Sequence, residues 1–548
     1  MKNGANAIID VLIEMGVDTV FGYPGGAVVP LYDALYSRKD EIRHIRTSHE
    51  QGASFAADGY ARATGNVGVC IATSGPGATN LITGIAGAYM DSVPMVIITG
   101  QVASPLLGKD SFQEIDIAGM TFPITKHNYV ISDAKKLVQS LREAFLIART
   151  GRPGPVLIDI PRDIFLSDVE CECKMQSCGL NYESGRLDEG DIESAADMIK
   201  NANRPVIYAG GGVLRGKAAP ELLRLAEKGS IPVANTLMGI SSFPGSHDLS
   251  LGLSGMHGHV HANRALAESD LVIAIGARFS DRGLGKQDTS GKNVIHIDID
   301  DTEMGKNVES SIFIRGDIKK IISMITEKIT LCEKGQWLEE ISCWSRKAAH
   351  TERGGFTPKL IIEKLSSLYD DPIVATDVGQ HQLWTAQNWK FDSPGSLLTS
   401  GGLGAMGYGL GAAIGAKFAR PDKKVILITG DASFKMNMNE LATVSAYKIP
   451  VHIVILNNRA LGMVRQLQTV FTESRYSEVD VFDELDFVSL GKAFNIDSRR
   501  VRSIEELEQA VAELQADKSA IIECVIDKEE LVTPMVRPGA GIGEFVFE

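Results

Sequence analysis

Residues 425–458 constrain this chain most. They read Val425-Ile-Leu-Ile-Thr-Gly430-Asp431-Ala432-Ser433-Phe434, pass through an amphipathic segment over 438–447, and close on Val451-His-Ile-Val-Ile-Leu456-Asn457-Asn458. Two short β-branched runs around a helical pattern predict a strand–helix–strand unit. In an open parallel sheet, ligands bind outside the carboxyl ends of the strands. Those ends carry Gly430-Asp431 and Asn458 here. A carboxylate and a carboxamide are hard oxygen ligands that suit Mg²⁺ holding a diphosphate. Gly430 lets the backbone approach a phosphate closely. The plain structural alternative for Asp431 is a helix cap.

This Gly-Asp…Asn-Asn pattern resembles the thiamine diphosphate motif, and the longer run Gly430-Asp-Ala-Ser-Phe-Lys-Met-Asn-Met-Asn-Glu440-Leu-Ala-Thr443 strengthens the resemblance. At 548 residues the chain has room for roughly three or four domains. Its 44% hydrophobic content fits an ordinary soluble globular protein. No uncharged apolar run approaches the ~18 residues of a membrane span, and the start of the chain enters an amphipathic helix without a signal-peptide pattern. A cytoplasmic location is expected. A net charge of −14 argues against a nucleic-acid partner, since no basic excess is available to neutralise phosphates. Cys171, Cys173 and Cys178 cluster, but no further ligand follows at zinc spacing, so a connector with incidental thiols is the expectation.

Along the chain, three α/β blocks are expected: 1–175, 190–345 and 357–548. In the first, strand-like runs at 67–72 and 94–99 alternate with helical stretches such as 79–89, and Gly-Pro turns stand at 22–26, 74–77 and 151–155. A polar connector over 167–191 leads to the second block. There a strand at 205–209 runs into Gly210-Gly-Gly212, and another ends at Asp298 and Asp300, features that suit a bound nucleotide. There is no clean G-x-G-x-x-G, so that signal alone is weak. A charged segment over 327–353 reads as helix and linker before the third block.

With these residues in hand, the whole chain resembles the catalytic large subunit of acetohydroxyacid synthase, also called acetolactate synthase. The resemblance is carried by Phe21-Gly-Tyr-Pro-Gly-Gly26, Ser48-His-Glu50-Gln-Gly-Ala-Ser, Gly108-Lys-Asp-Ser-Phe-Gln113-Glu, Thr125-Lys-His-Asn-Tyr129, Gly255-Met-His-Gly258, Gly276-Ala-Arg-Phe-Ser-Asp-Arg282, Val378-Gly-Gln-His-Gln382 and Ser400-Gly-Gly-Leu-Gly-Ala-Met406-Gly. It implies three doubly wound parallel-sheet domains: one facing the cofactor pyrimidine, a central FAD-binding one, and one holding the diphosphate. It implies active sites between two subunits, hence a homodimer or homotetramer, and a possible small regulatory subunit. The implied reaction decarboxylates pyruvate on thiamine diphosphate and ligates the two-carbon unit to a second 2-ketoacid, the first step of branched-chain amino acid synthesis.

The resemblance also implies residue roles. Glu50 matches the glutamate at the pyrimidine nitrogen, which activates the cofactor. Asp431, Asn458 and the Ala460 carbonyl match the Mg²⁺ ligands. Contacts to thiamine diphosphate are implied for Tyr23, Pro24, Gly25, Thr73, Pro76, Asn80, Val378, Gly379, Gln380, His381, Gly404, Gly430, Ala432, Ser433, Ala460, Leu461, Gly462 and Met463, with Met406 as the wedge that bends it. Phe112 and Gln113 face the reacting carbon; their loop lacks the proton-donating histidine pair of simple decarboxylases, which favours ligation over aldehyde release. Arg282 matches the arginine for the second substrate's carboxylate, a task suited to a guanidinium fork. For FAD the matching positions are Arg152, Gly211, Gly212, Thr236, Leu237, Met256, His257, Gly276, Arg278, Arg282, Asp298, Ile299 and Asp317.

The pattern breaks at the substrate pocket. Leu467 stands where the family has tryptophan, Ala103 where proline is usual, and Arg537-Pro-Gly-Ala-Gly541 departs from the usual lid. Losing an aromatic wall enlarges a pocket. Two readings follow: an acetolactate synthase with weakened 2-ketobutyrate preference, favoured because Phe112, Gln113 and Arg282 are intact, or a sibling ligase serving an aldehyde or keto-sugar acceptor. From another class, a catalytically silent partner subunit would be supported by loss of Glu50, Asp431 or Asn458, and all three are present.

Overall fold

The computed structural model describes residues 2–169, 187–331, 334–348, 355–481 and 485–547. Cys171, Cys173 and Cys178 lie outside them. The framework is three six-stranded sheets in which every neighbouring pair is parallel. Their central strands, such as Met95–Gln101, Leu271–Ile275 and Val451–Asn457, are buried along their whole length. Continuous β-branched runs are what a parallel sheet covered on both faces requires.

The first sheet is ordered Arg43–Arg46, Thr19–Gly22, Gly68–Ala72, Met95–Gln101, Pro155–Pro161, His127–Val130. The third repeats that order with Leu397–Leu398, Ile373–Thr376, Val425–Gly430, Val451–Asn457, Ala520–Val525 and Asp497–Val501. The middle sheet differs: Ser250–Leu253, Val233–Asn235, Pro205–Ala209, Leu271–Ile275, Asn293–Asp298, Ile312–Arg315. Read by chain position, that is the 3-2-1-4-5-6 order of dinucleotide-binding sheets, whose ligand crevice opens where the order reverses. The reversal falls between Pro205–Ala209 and Leu271–Ile275, so the crevice is edged by Gly210 to Gly212 and by Gly276 to Arg278.

The first and third sheets share a continuous apolar core. Helix Glu50–Thr64 lies against helix Tyr408–Ala419 at a separation only glycine permits: a Cβ on Gly59 would sit 2.2 Å from the Ala412 carbonyl oxygen, and one on Gly415 1.9 Å from that of Ala56. Beside this seam Arg62 is buried between Asp58 (2.6 Å) and Asp91 (2.9 Å). Tyr408 donates to Asp58 and the Gly402 N–H donates to Asp91. Buried ion pairs contribute little net stability, but an unpaired charge here would be costly, so the contacts fix how the two domains align.

Two local departures from the periodicity have physical causes. The stretch 79–89 is broken into Pro76–Thr79 and Ile82–Met90, and Asn80 at the break turns its amide to Glu50. The amphipathic segment begins as the 3₁₀ turn Met438–Glu440 before the helix Leu441–Tyr447. Among the described residues no helix is long and apolar enough to cross a membrane.

Candidate active site

The third sheet builds one cavity at its order reversal. It is lined by Val378, Gly379, Gln380, His381, Met406, Gly430, Asp431, Ala432, Ser433, Asn458, Ala460, Leu461, Gly462 and Met463, together with Trp384, Leu456 and Val464. Asp431 opens the helix Asp431–Lys435 directly after strand Val425–Gly430. Burial pushes its carboxyl up to about 6 against the pull of Lys435. An opposite charge placed beside such a buried carboxyl would favour its ionised form. The Leu461 N–H and the Arg459 carbonyl pair with Val479 and Val481, which points Ala460 to the other side, where its N–H donates to Asn458 Oδ1 over 3.1 Å. Asp431, Asn458 and Ala460 line the same cavity, and a carboxylate, an amide oxygen and a backbone carbonyl are oxygen donors that could hold Mg²⁺.

His381 stands on the same wall. Burial pushes its imidazole down to about 3, so it is neutral, and its Nε2 is buried with no hydrogen-bond partner among the described residues. A buried unsatisfied ring nitrogen marks a place for a ligand or water. Gly379 and Gly430 make room for that ring, since a Cβ on either would lie 2.8 Å from it. Gly404 lies just outside this lining, beside Val378. Asp377, which sequence reasoning passed over, accepts the Gly407 N–H over 2.7 Å and the Thr429 hydroxyl, holding the turn that carries Met406. Its signal was legible: an aspartate closing a strand immediately before Val378.

The first sheet gathers a second cluster at its own reversal. Glu50 begins helix Glu50–Thr64 and is buried, and Asn80 donates to its Oε2 over 2.9 Å. Thr73 packs under Gly25 and accepts the Ala27 N–H, which sets the Tyr23-Pro24-Gly25 turn. Pro76 opens the following short helix. Gln113 sits at φ 60° against Gly75, whose φ is 61°. Its neighbour Phe112 is 87% exposed. Ala103 lies at the start of the same loop. None of these first-domain residues lines the cavity of the third domain, so the two clusters are separate within one chain. Glu440 links them: its carboxylate accepts the Ser48 and His49 N–H groups at 3.0 Å each.

In the middle domain, Gly212 and Gly276 press together at the crevice: a Cβ on Gly212 would lie 2.6 Å from the Gly276 Cα. Burial pushes the Asp298 carboxyl up to about 6 and the Arg278 guanidinium down, the latter helped by nearby Arg152. Arg152 reaches over from the first domain to Asp300 and Glu303. Two half-buried arginines beside the crevice, with Asp298, Asp300 and Glu303 near them, offer guanidinium donors that an anionic ligand could use. His257 is pushed down to about 4 by burial, and its Nε2 has no partner among the described residues. Arg282 is exposed and donates to Met256 Sδ at 3.1 Å. Thr236 caps the turn containing Leu237, Ile299 follows the strand end at Asp298, and Asp317 caps helix Ile318–Lys328 through the Lys319 and Lys320 N–H groups. Leu467 is half-buried on helix Gly462–Phe471.

Three family models match the chain: thiamine pyrophosphate enzyme, N-terminal TPP binding domain, over residues 2–120; the central domain over 192–325; and the C-terminal TPP binding domain over 377–524. The acetolactate synthase large subunit of Parasynechococcus marenigrum is 44% identical over 99% of this chain and 91% of its own length. The probable acetolactate synthase large subunit of Methanocaldococcus jannaschii is 45% identical, covering 99% and 95%. The acetolactate synthase isozyme 2 large subunit of Escherichia coli is 42% identical, covering 99% of each. With three family models matched in chain order and relatives 42–45% identical over nearly the whole chain, this chain belongs to the acetolactate synthase large subunits, a family of thiamine diphosphate enzymes.

Proposed function

We propose that the chain takes two molecules of 2-ketoacid, decarboxylates pyruvate and joins the two-carbon unit to the second, pyruvate giving 2-acetolactate and 2-ketobutyrate giving 2-aceto-2-hydroxybutyrate. The observation that carries this reading is the convergence of Asp431, Asn458, Ala460 and His381 on one cavity. Bound there, thiamine diphosphate supplies the electron sink that a protein side chain cannot. Asp431, Asn458 and the Ala460 carbonyl hold Mg²⁺, and the Val378–His381 segment meets the diphosphate. Met406, on the wall of the same cavity, would serve as the apolar wedge against the cofactor. Glu50 holds a proton at the pyrimidine nitrogen, Gln113 and Phe112 orient the substrates, and the Arg282 fork receives the second carboxylate.

The middle crevice between the two glycine edges would hold FAD, with Arg152 and Arg278 supplying positive charge for an anionic group. The separation of Glu50 from the Asp431 cavity supports a site completed by a second copy, in a homodimer or homotetramer. A small regulatory subunit, a cytoplasmic location and domain limits of 1–175, 190–345 and 357–548 belong to the same proposal. Leu467 and Ala103 favour a second reading, a roomier pocket that accepts an aldehyde or keto sugar.

Product analysis by mass spectrometry tests both. Protein with thiamine diphosphate, Mg²⁺ and FAD is given pyruvate alone, then pyruvate with 2-ketobutyrate or with an aldehyde. Acetolactate from pyruvate alone is expected. Failure to release CO₂ from pyruvate would sink the proposal, and a product formed only with the aldehyde or keto sugar would favour the second reading.

A further inference from the structure

We propose that Asn458 is oriented by a relay of side-chain amides whose polarity is set by the backbone of Val532, which makes the C-terminal segment part of the cation site. The proposal rests on the reading of Asp431 and Asn458 as cation ligands. An asparagine can present its oxygen or its nitrogen, two ends of nearly the same shape. Only the oxygen can hold a hard cation. Something must therefore decide which end of Asn458 faces the cavity.

Backbone polarity decides it, because a peptide unit cannot exchange its N–H for its carbonyl. The Val532 N–H donates to Gln466 Oε1 over 2.9 Å, and Gln466 Nε2 donates to the Val532 carbonyl over 2.9 Å. Turning Gln466 over would set donor against donor and acceptor against acceptor. With Oε1 so fixed, Gln380 directs its Nε2 at it over 3.0 Å, and the same nitrogen donates to the Glu530 carbonyl over 2.9 Å. Gln380 Oε1 then faces Asn458 Nδ2 at 3.3 Å. Asn458 Oδ1 is left on the other side, where the Ala460 N–H donates to it and Asp431 lines the same cavity.

The relay is dry. Gln466 is 0% exposed, Gln380 4% and Val532 0%, so water does not compete for these bonds. A mismatched amide in such a place is costly, since a buried donor or acceptor would go unmet. Gln380 and Gln466 are thus positioning residues: they act on a cation through Asn458. Outer partners of this kind typically change metal affinity about 10–100-fold.

The test uses the full chain with thiamine diphosphate and reads Mn²⁺ uptake, as a probe for Mg²⁺, by electron paramagnetic resonance. Gln466→Leu is expected to weaken Mn²⁺ binding about 10–100-fold while far-UV circular dichroism stays that of the parent. In an Asn458→Asp background both side-chain ends are oxygens, so orientation ceases to matter and Gln466→Leu should weaken nothing further. Parental affinity in Gln466→Leu would overturn the relay, as would an equal loss in both backgrounds. Gln466→Met, closer in shape, makes the same test if the leucine variant does not fold. If the parent protein takes up no Mn²⁺ with thiamine diphosphate, the underlying cation reading falls, which is a distinguishable result.

Discussion

Glu50 stands at the helix start with its carboxyl bonded by Asn80 and its helix entry held by Glu440. Glu50→Gln preserves shape and removes only the capacity to hold and pass a proton. We expect kcat to fall about 10²–10⁴-fold, the range of general acid–base catalysis, with Mn²⁺ uptake unchanged; CO₂ release from pyruvate measures it. Asp159 offers a separate pH handle. It is buried in strand Pro155–Pro161, faces the Thr99 hydroxyl (2.7 Å), the Gln101 amide (3.0 Å) and the charge of Asp116, and burial pushes its carboxyl up to about 7. The fold therefore keeps a proton that the unfolded chain has already released. Stability falls as pH rises from the ordinary carboxylate value to about 7 and levels beyond it. Asp159→Asn should flatten that slope, as read by urea unfolding across the window. Asp431 and Asn458 stood out in the sequence as oxygen-bearing residues at strand ends, and both line the cavity. Gln466 and Glu440 did not, because glutamine or glutamate in an amphipathic segment reads as a solvent-facing residue until its distant partner is seen.

Elements repeat the lesson at larger size. Period-two and continuous apolar runs identify the strands, and the glycines after them mark the ligand ends. Helix contacts are harder to read. Gly59 and Gly415 look like helix-weakening residues by propensity, yet each removes a clash with a carbonyl of the facing helix. Gly415→Ala is expected to destabilise by roughly 1–3 kcal/mol through overpacking, measured as a lower urea midpoint. The same methyl on Gly335, with nothing within 4 Å, should cost nothing comparable. The break at Asn80 was equally hidden, since helical periodicity runs straight through it.

For the whole molecule, Glu50 and Asp431 belong to two separate clusters, and only Asp431 lines the cavity of the third domain. If a second copy completes each site, mixing inactive Glu50→Gln and Asp431→Asn proteins should restore activity. Random pairing leaves one intact site in each mixed dimer, so roughly a quarter of parental activity returns. Recovery near zero after verified subunit exchange would mean that each site closes within one chain. Exposed Phe112, together with Met436 at 56%, gives such a partner an apolar surface to cover.

The amino-acid sequence by itself determined the family and the three parallel-sheet units. Those depend on local periodicity and on residue types that the chemistry demands. Only the tertiary structure decided that the middle sheet alone runs in dinucleotide-binding order, that Glu440 grips the Glu50 helix, and that Val532 dictates the face of Asn458. Each of these joins residues far apart in the chain, and such meetings follow from packing and hydrogen-bond polarity, which no local pattern encodes.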